Sequence, residues 1–327
     1  FMKRLAAAAM AVLCIIPFFS GCSANKGEQV VIYSSMEDYR NEALREQLKE
    51  KFPDFEVTVQ QLSTGNNAAK IKAEGTNTEA DIVLGLETAS FAQIAEHFAP
   101  LEGYGTSQYL EGINGADNRY YTWEKADGAF IVNTQVLKEK GLAEPATYED
   151  LLKPEYEGLI AMPSPKTSNT GYMFLNTWVN TMGEDAAFAY VDKLQKNIKQ
   201  FTESGSGPVK LLNQGEIAVG LGMVFQAAEQ IGQGMPLKII QPADGCPYNT
   251  TSFGIIKGKE TRESVKAVFA FLNDEFIRYD KENFCPGLVL KDQKNNIKDY
   301  PSDIKAADMS TITDTAVKEK LLGRWAY

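Results

Sequence analysis

Histidine is almost absent from this chain: His97 is the only one among 327 residues. That leaves no His-based zinc cluster, and no convincing Ser-His-Asp set, because the lone imidazole sits beside Phe98 in a helical segment. Basic residues are outnumbered, 33 Lys and Arg against 43 Asp and Glu, for a formal charge of −10. The chain therefore lacks the concentrated cationic surface that nucleic-acid phosphates require. Net charge does not decide the sign of a small ligand, since local dipoles can outweigh it at a site. Beyond the N-terminus no apolar stretch is long enough to predict a membrane-crossing helix. A Gly-x-Ser-x-Gly elbow, a Walker loop and a Rossmann glycine fingerprint are all missing from the contexts that would give them meaning. Internal repeats and low-complexity tracts are missing too.

What is present is ordinary globular composition, 44% hydrophobic and 23% charged, at a length that suggests two domains. The N-terminus is a distinct segment. Lys3 and Arg4 precede an uncharged apolar run from Leu5 to Phe19, which reads as a signal peptide. Its end, Phe19-Ser20-Gly21-Cys22, resembles a bacterial lipobox. That resemblance implies acylation of Cys22, and diacylation would supply a stable membrane anchor. Residues 1–22 are thus expected to be signal and lipobox, and 23–29 a tether. Cys14 belongs to the signal, which leaves Cys246 and Cys285, each followed by proline, as a disulfide or as two buried thiols.

From Val30 onward strands and helices alternate. Val30–Tyr33, Phe55–Val59, Ala80–Leu84, Gly128–Val132, Leu159–Met162, Ile217–Leu221 and Ser252–Ile256 read as strands, several of them continuous apolar runs of the buried parallel kind. Between them lie helical stretches such as Glu42–Lys51, Ala68–Glu74, Thr88–His97 and Ser264–Asn273. Such alternation predicts an α/β fold with helices on both faces of parallel sheets.

Ligands of open parallel sheets bind beyond the carboxyl ends of the strands, at helix N-termini. Four strand-to-helix turns here are rich in hydroxyl, amide and glycine residues: Ser34-Ser35; Ser63, Thr64, Gly65 and Asn66; Ser164–Gly171, with Thr167, Ser168 and Thr170; and Ser204, Ser206 and Gly207 before Pro208. Free amides at a positive dipole end suit an anion. Each turn taken singly also fits an ordinary helix cap. Lys166 could add a formal positive charge for a phosphate or carboxylate. Glu37 and Glu87, each just beyond a strand, could pair with an amine or act as ordinary acids at helix starts.

The chain resembles the family 1 extracellular solute-binding proteins, in the subgroup of ferric-ion, 2-aminoethylphosphonate and hexose-phosphate binders. The matching stretches are Val31-Ile32-Tyr33-Ser34-Ser35, Ala80-Asp81-Ile82-Val83, Phe130-Ile131-Val132-Asn133-Thr134, Ser204-Gly205-Ser206-Gly207-Pro208 with Gly215-Glu216, Ala307-Asp308-Met309 and Leu321–Tyr327. The resemblance implies a type II periplasmic-binding fold, two lobes with a hinge of two crossover strands. Lobe one would comprise 30–124 and 254–327, and lobe two 125–253. It further implies a monomer on the outer face of the cell membrane, at a Gram-positive surface or in a periplasm. Such a receptor captures a small anionic solute in the interlobe cleft and delivers it to an ABC permease and its ATPase, without a cofactor and without being an enzyme. Ferric members of the family carry adjacent tyrosines after the strand equivalent to Ile217–Leu221, where this chain has Met223-Val224-Phe225-Gln226. Its own adjacent pair, Tyr120-Tyr121, comes earlier. A phosphonate or phosphorylated organic anion is therefore the expected solute. Ferric iron held by Tyr120 and Tyr121 is the alternative, and a secreted hydrolase or adhesin on the same scaffold is a third reading.

Overall fold

The computed structural model describes residues 28–115 and 117–327; the signal segment, Cys22 and most of the tether lie outside the described residues. Among the described residues no helix is long and apolar enough to cross a membrane. The first half is built from β1 (Gln29–Ser34), α1 (Asp38–Lys51), β2 (Glu56–Gln61), α2 (Thr64–Glu74), β3 (Ile82–Glu87) and α3 (Thr88–Gln93). β1 pairs in parallel with both β2 and β3. Every residue of β3 is buried, and so is all of β1 after Gln29, as expected for parallel strands covered on both faces.

The long strand β4 (Tyr121–Asn133) then leads into the second half. There α4 (Thr134–Lys140), β5 (Ile160–Pro163), α5 (Asn169–Met182), α6 (Glu184–Leu194), β6 (Ile198–Thr202), α7 (Gly207–Asn213), β7 (Val219–Met223), α8 (Val224–Gly232) and β8 (Leu237–Ile240) follow. β5 lies parallel to β6 and β7. β9 (Tyr248–Ile255) returns the chain to the first half.

The two halves share one strand order, β2-β1-β3-β9-β4-β7-β5-β6, with β8 beside β4. β4 and β9 are the junction. The first part of β4, Tyr121 to Asp127, pairs antiparallel with β9, while Gly128 to Val132 pair with β7. β9 in turn pairs with β3. This is the expected two-lobed architecture with two crossover strands. The strands β6 and β8 and the helices α4 and α8 have no counterpart in the sequence reading; both strands are short, and β6 shows little of the continuous apolar pattern used to find strands.

After β9, α9 (Glu263–Phe271) runs through a π-turn, Leu272–Phe276, into α10 (Ile277–Asn283). Asp280 and Lys281, adjacent on α10, are both fully buried. The chain ends in α11 (Thr315–Arg324). Ala307, Met309, Ile312, Leu321 and Trp325 bury their side chains in the second half's core, with Phe130, Leu175 and Trp178. Of the segment 254–327 expected in the first lobe, these tail residues share a core cluster with residues of α5 and β4. The first half keeps its own clusters on the two faces of its sheet, one around Ile32, Leu44 and Phe253 and the other around Tyr33, Val83 and Phe91. Cys246 and Cys285 are buried in different clusters as free thiols.

Gly171, in the first turn of α5, lies against the end of β5 with no space for a side chain. A Cβ there would stand 2.3 Å from the Pro163 carbonyl oxygen and 2.7 Å from the Pro165 nitrogen. Gly171→Ala is expected to cost about 1–3 kcal/mol, the usual range for overpacking, measured by urea unfolding; an unchanged midpoint would contradict this close approach.

Candidate functional site

A cavity of about 490 Å³ lies between the two halves. All four of the hydroxyl-rich turns reach it. Ser63 and Thr64 come from the start of α2, Thr167, Ser168 and Thr170 from the start of α5, and Ser204 and Ser206 from the turn before α7. Ser35 and Glu37, from the turn between β1 and α1, complete the first-half wall. The crossover strands line it as well, through Glu124 of β4 and Asn249 and Thr251 of β9.

The cap explanation for these turns holds only in part. Ser63 accepts a hydrogen bond from the Asn66 amide at 3.4 Å and so caps α2. Ser168 and Ser206, by contrast, make no capping hydrogen bond, although they occupy the cap positions of α5 and α7. The first amides of a helix have no partner within it, so α5 opens on the cavity with donors its own cap residue does not satisfy. The second-half turns are also pressed together: a Cβ on Gly205 would fall 2.4 Å from Thr170 Oγ1.

Other expected residues lie elsewhere. Ser34 is buried below the cavity, where its hydroxyl donates to Asn41 Oδ1 at 2.6 Å and accepts from the Met36 amide at 3.2 Å. Gly65 and Asn66 face solvent on α2, one residue past the part of the turn that lines the cavity. Gly207 lies behind the lining because it packs on Thr202, which leaves its Cβ position only 2.4 Å from Thr202 Cβ. Lys166 is exposed and outside the lining, so it supplies no charge to the cavity wall. Glu87 is also outside the lining and is already engaged. Its Oε2 accepts from Lys318 Nζ at 2.6 Å and from Ser90 at 3.2 Å, and its Oε1 from Asn249 at 3.3 Å. Since α11 packs on the second half and β3 belongs to the first, Lys318–Glu87 is a strut across the junction.

Tyr120 and Tyr121 are core residues. The Tyr120 ring packs 5.3 Å from Phe91, and the Tyr121 hydroxyl donates to the Leu101 carbonyl at 3.0 Å. Burial raises the pKa of both phenols, which opposes the phenolate that ferric iron prefers. Among the described residues no group of three or more His, Cys, Asp or Glu side chains could hold a metal ion.

Most of the cavity floor was not evident from the sequence. Arg40, on α1, lines the cavity although it is 1% exposed. Its Nε and Nη2 donate to the two carboxylate oxygens of Asp280 at 2.8 and 2.7 Å, and its Nη1 donates to Glu37 at 2.9 Å. Nη2 also lies 2.6 Å from Glu124 Oε2. Lys281 Nζ donates to Asp280 at 2.6 Å and stands over the Trp123 ring at 5.4 Å. Burial alone would raise the pKa of Asp280, but Arg40 and Lys281 outweigh it and hold the carboxyl below its usual value. Burial does raise that of Glu37, with Arg40 opposing and Glu124 adding to the shift. One signal was available in the sequence: Arg40 precedes Leu44 and Leu48 at four-residue spacing, on the buried stripe of α1. A charged residue on such a stripe requires a buried partner, which here comes from 240 residues away.

A two-lobed α/β molecule with a polar cleft at its junction defines the class of cleft-binding receptors. Residues 78–306 match the bacterial extracellular solute-binding protein family, and the chain belongs to it. An uncharacterized protein of Haemophilus influenzae is 29% identical over 256 residues, which is 75% of this chain and 72% of that protein. A Salmonella typhimurium protein named "Putative 2-aminoethylphosphonate-binding periplasmic protein" is 27% identical over 227 residues, and the match spans 66% of this chain but only 64% of that relative. Among solved structures, the periplasmic binding protein AfuA from Actinobacillus pleuropneumoniae, with exogenous fructose-6-phosphate bound, is 26% identical with a TM-score of 0.79, covering 92% of this chain and 98% of that one.

Two predictions concern the charges around the cleft. Lys318→Ala leaves Glu87, 1% exposed, without its cation, and is expected to cost about 3–5 kcal/mol in denaturant unfolding; a loss below about 1 kcal/mol would contradict the strut. Because its native pKa is lowered, Asp280 contributes full stability above its unfolded pKa of about 3.9, and loses it as pH falls through the native value. Asp280→Asn is expected to remove that share at neutral pH and flatten the acid limb of the stability–pH curve. An acid limb identical to that of the unaltered chain would contradict the assignment.

Proposed function

We propose that this chain is the lipid-anchored receptor of an ABC importer, capturing a small phosphonate or phosphorylated organic anion between its lobes and presenting it to a membrane permease served by an ATPase. The observation that carries this reading is the meeting, in one interlobe cavity, of hydroxyl-lined helix starts from both halves, with the start of α5 uncapped by its own serine. Donors from two hinged bodies reward closure, because the anion is fully coordinated only when the halves meet. Micromolar affinity needs about 8 kcal/mol net, which several charge-assisted hydrogen bonds of about 1.5–3 kcal/mol each could supply after association costs. The relative named for 2-aminoethylphosphonate and the fructose-6-phosphate in the AfuA structure support an organic anion. Anchoring would come from Cys22. The lobes are taken as 30–124 with 254–306, and 125–253 with the tail 307–327.

The test separates folding from binding. Aspartate is a favoured cap residue, and a negative charge at a helix start is stabilising. Ser168→Asp should therefore leave the melting temperature unchanged or raised. It should weaken binding of 2-aminoethylphosphonate or fructose 6-phosphate by at least about tenfold, since the same charge repels the anion. Unchanged calorimetric affinity in the folded variant would refute the reading.

A further inference from the structure

The rim and the floor of the cavity differ in kind. The rim is made of hydroxyls and helix starts, which can donate. The floor holds Arg40, the only Lys or Arg among the lining residues, and its guanidinium is already occupied by Asp280, Glu37 and Glu124. Lys281 lies beneath, fully buried and bonded to Asp280. Within this set two cations face three carboxyl groups, and Glu203 adds another acidic side chain at the rim.

An independent feature points the same way. Gln226, at the start of α8, lines the cavity from the opposite half and is 7% exposed, yet its amide oxygen is buried without a hydrogen-bond partner. Glu124, also 7% exposed, has its Oε2 ion-paired with Arg40 at 2.6 Å. A buried acceptor without a donor, such as the Gln226 oxygen, is costly unless something fills it. Arg40 cannot turn toward a ligand, because its fork is held on Asp280 and its plane lies 5.9 Å from the Phe225 ring.

We propose that this floor is an ammonium subsite, in which Glu37, Glu124 and Gln226 accept hydrogen bonds from a protonated amine of the solute. The solute is then a zwitterion, with its anionic end at the helix starts and its cationic end at the floor. A dianion with no amine, such as a simple sugar phosphate, would leave the floor's acceptors unfilled and meet its acidic side chains. Asp280 sets this preference indirectly: by occupying Arg40 it withdraws the one cation that could have greeted a second anionic group. The inference rests on the anion reading for the rim, and the floor can be tested separately.

The experiment is calorimetric titration of the purified chain with 2-aminoethylphosphonate, ethylphosphonate and propylamine. The zwitterion should bind at least about tenfold tighter than either single-charge probe. Glu124→Gln should bring 2-aminoethylphosphonate to within about threefold of ethylphosphonate while ethylphosphonate is unchanged or tighter. Gln226→Leu leaves the Arg40 set intact and should lower the same preference, which guards against a folding defect in the Glu124 variant; a fold-wide loss would weaken both phosphonates equally. Ethylphosphonate binding as tightly as 2-aminoethylphosphonate would overturn the ammonium subsite and leave the anion reading standing. Propylamine binding with no phosphonate bound would do the reverse. Binding of none of the three would overturn both.

Discussion

The buried pairing of Arg40 with Asp280 is the constraint from which the character of the cleft follows. It joins α1 to α10, 240 residues apart, in an environment where neither charge is stable alone. Because both oxygens of Asp280 are used, the guanidinium is fixed in orientation as well as in charge. That fixed plane then holds Glu37 at the start of α1 and Glu124 on β4, so a structural ion pair dictates which groups the cavity floor can offer. Lys281 completes the set and lies against Trp123, which ties the charges to the core of the first half.

Above this floor, the paired crossover strands do the positioning. β4 and β9 carry Glu124, Asn249 and Thr251 into the junction, and by passing between the halves they bring the start of α2 opposite those of α5 and α7. The start of α5 contributes donors that its own cap residue leaves unsatisfied, and Ser63 and Thr64 of the first half line the same cavity. The Lys318–Glu87 strut spans the same junction and bonds to Asn169, a cavity residue, at 3.3 Å. The tail therefore helps set how the second half meets the first.

Much of this was legible in the sequence because the pattern was local. Continuous apolar runs gave the parallel strands, and Ser, Thr and Gly after them marked the turns, so Ser35, Ser63, Thr64, Thr167, Ser168, Thr170, Ser204 and Ser206 were all placed near a cleft from spacing alone. Glu37 was singled out for an amine and does reach the cavity; Glu87, chosen by the same logic, is taken by Lys318 from the far end of the chain. Arg40, Glu124 and Gln226 went unseen for a related reason. Their meaning depends on partners distant in sequence, and neither periodicity nor turn composition reports that a buried arginine has spent its donors. The packing of the tail was not legible, because its apolar residues are spaced irregularly and only the packed core shows which residues they join.

The most direct measurement is a crystal structure of the chain with 2-aminoethylphosphonate. The account predicts phosphorus beside Thr64, Asn169, Thr170 and Ser206, with the nitrogen within hydrogen-bond reach of Glu124, Glu37 or Gln226. A phosphonate lying on the Arg40 side, or a ligand bound outside the junction between the halves, would contradict it.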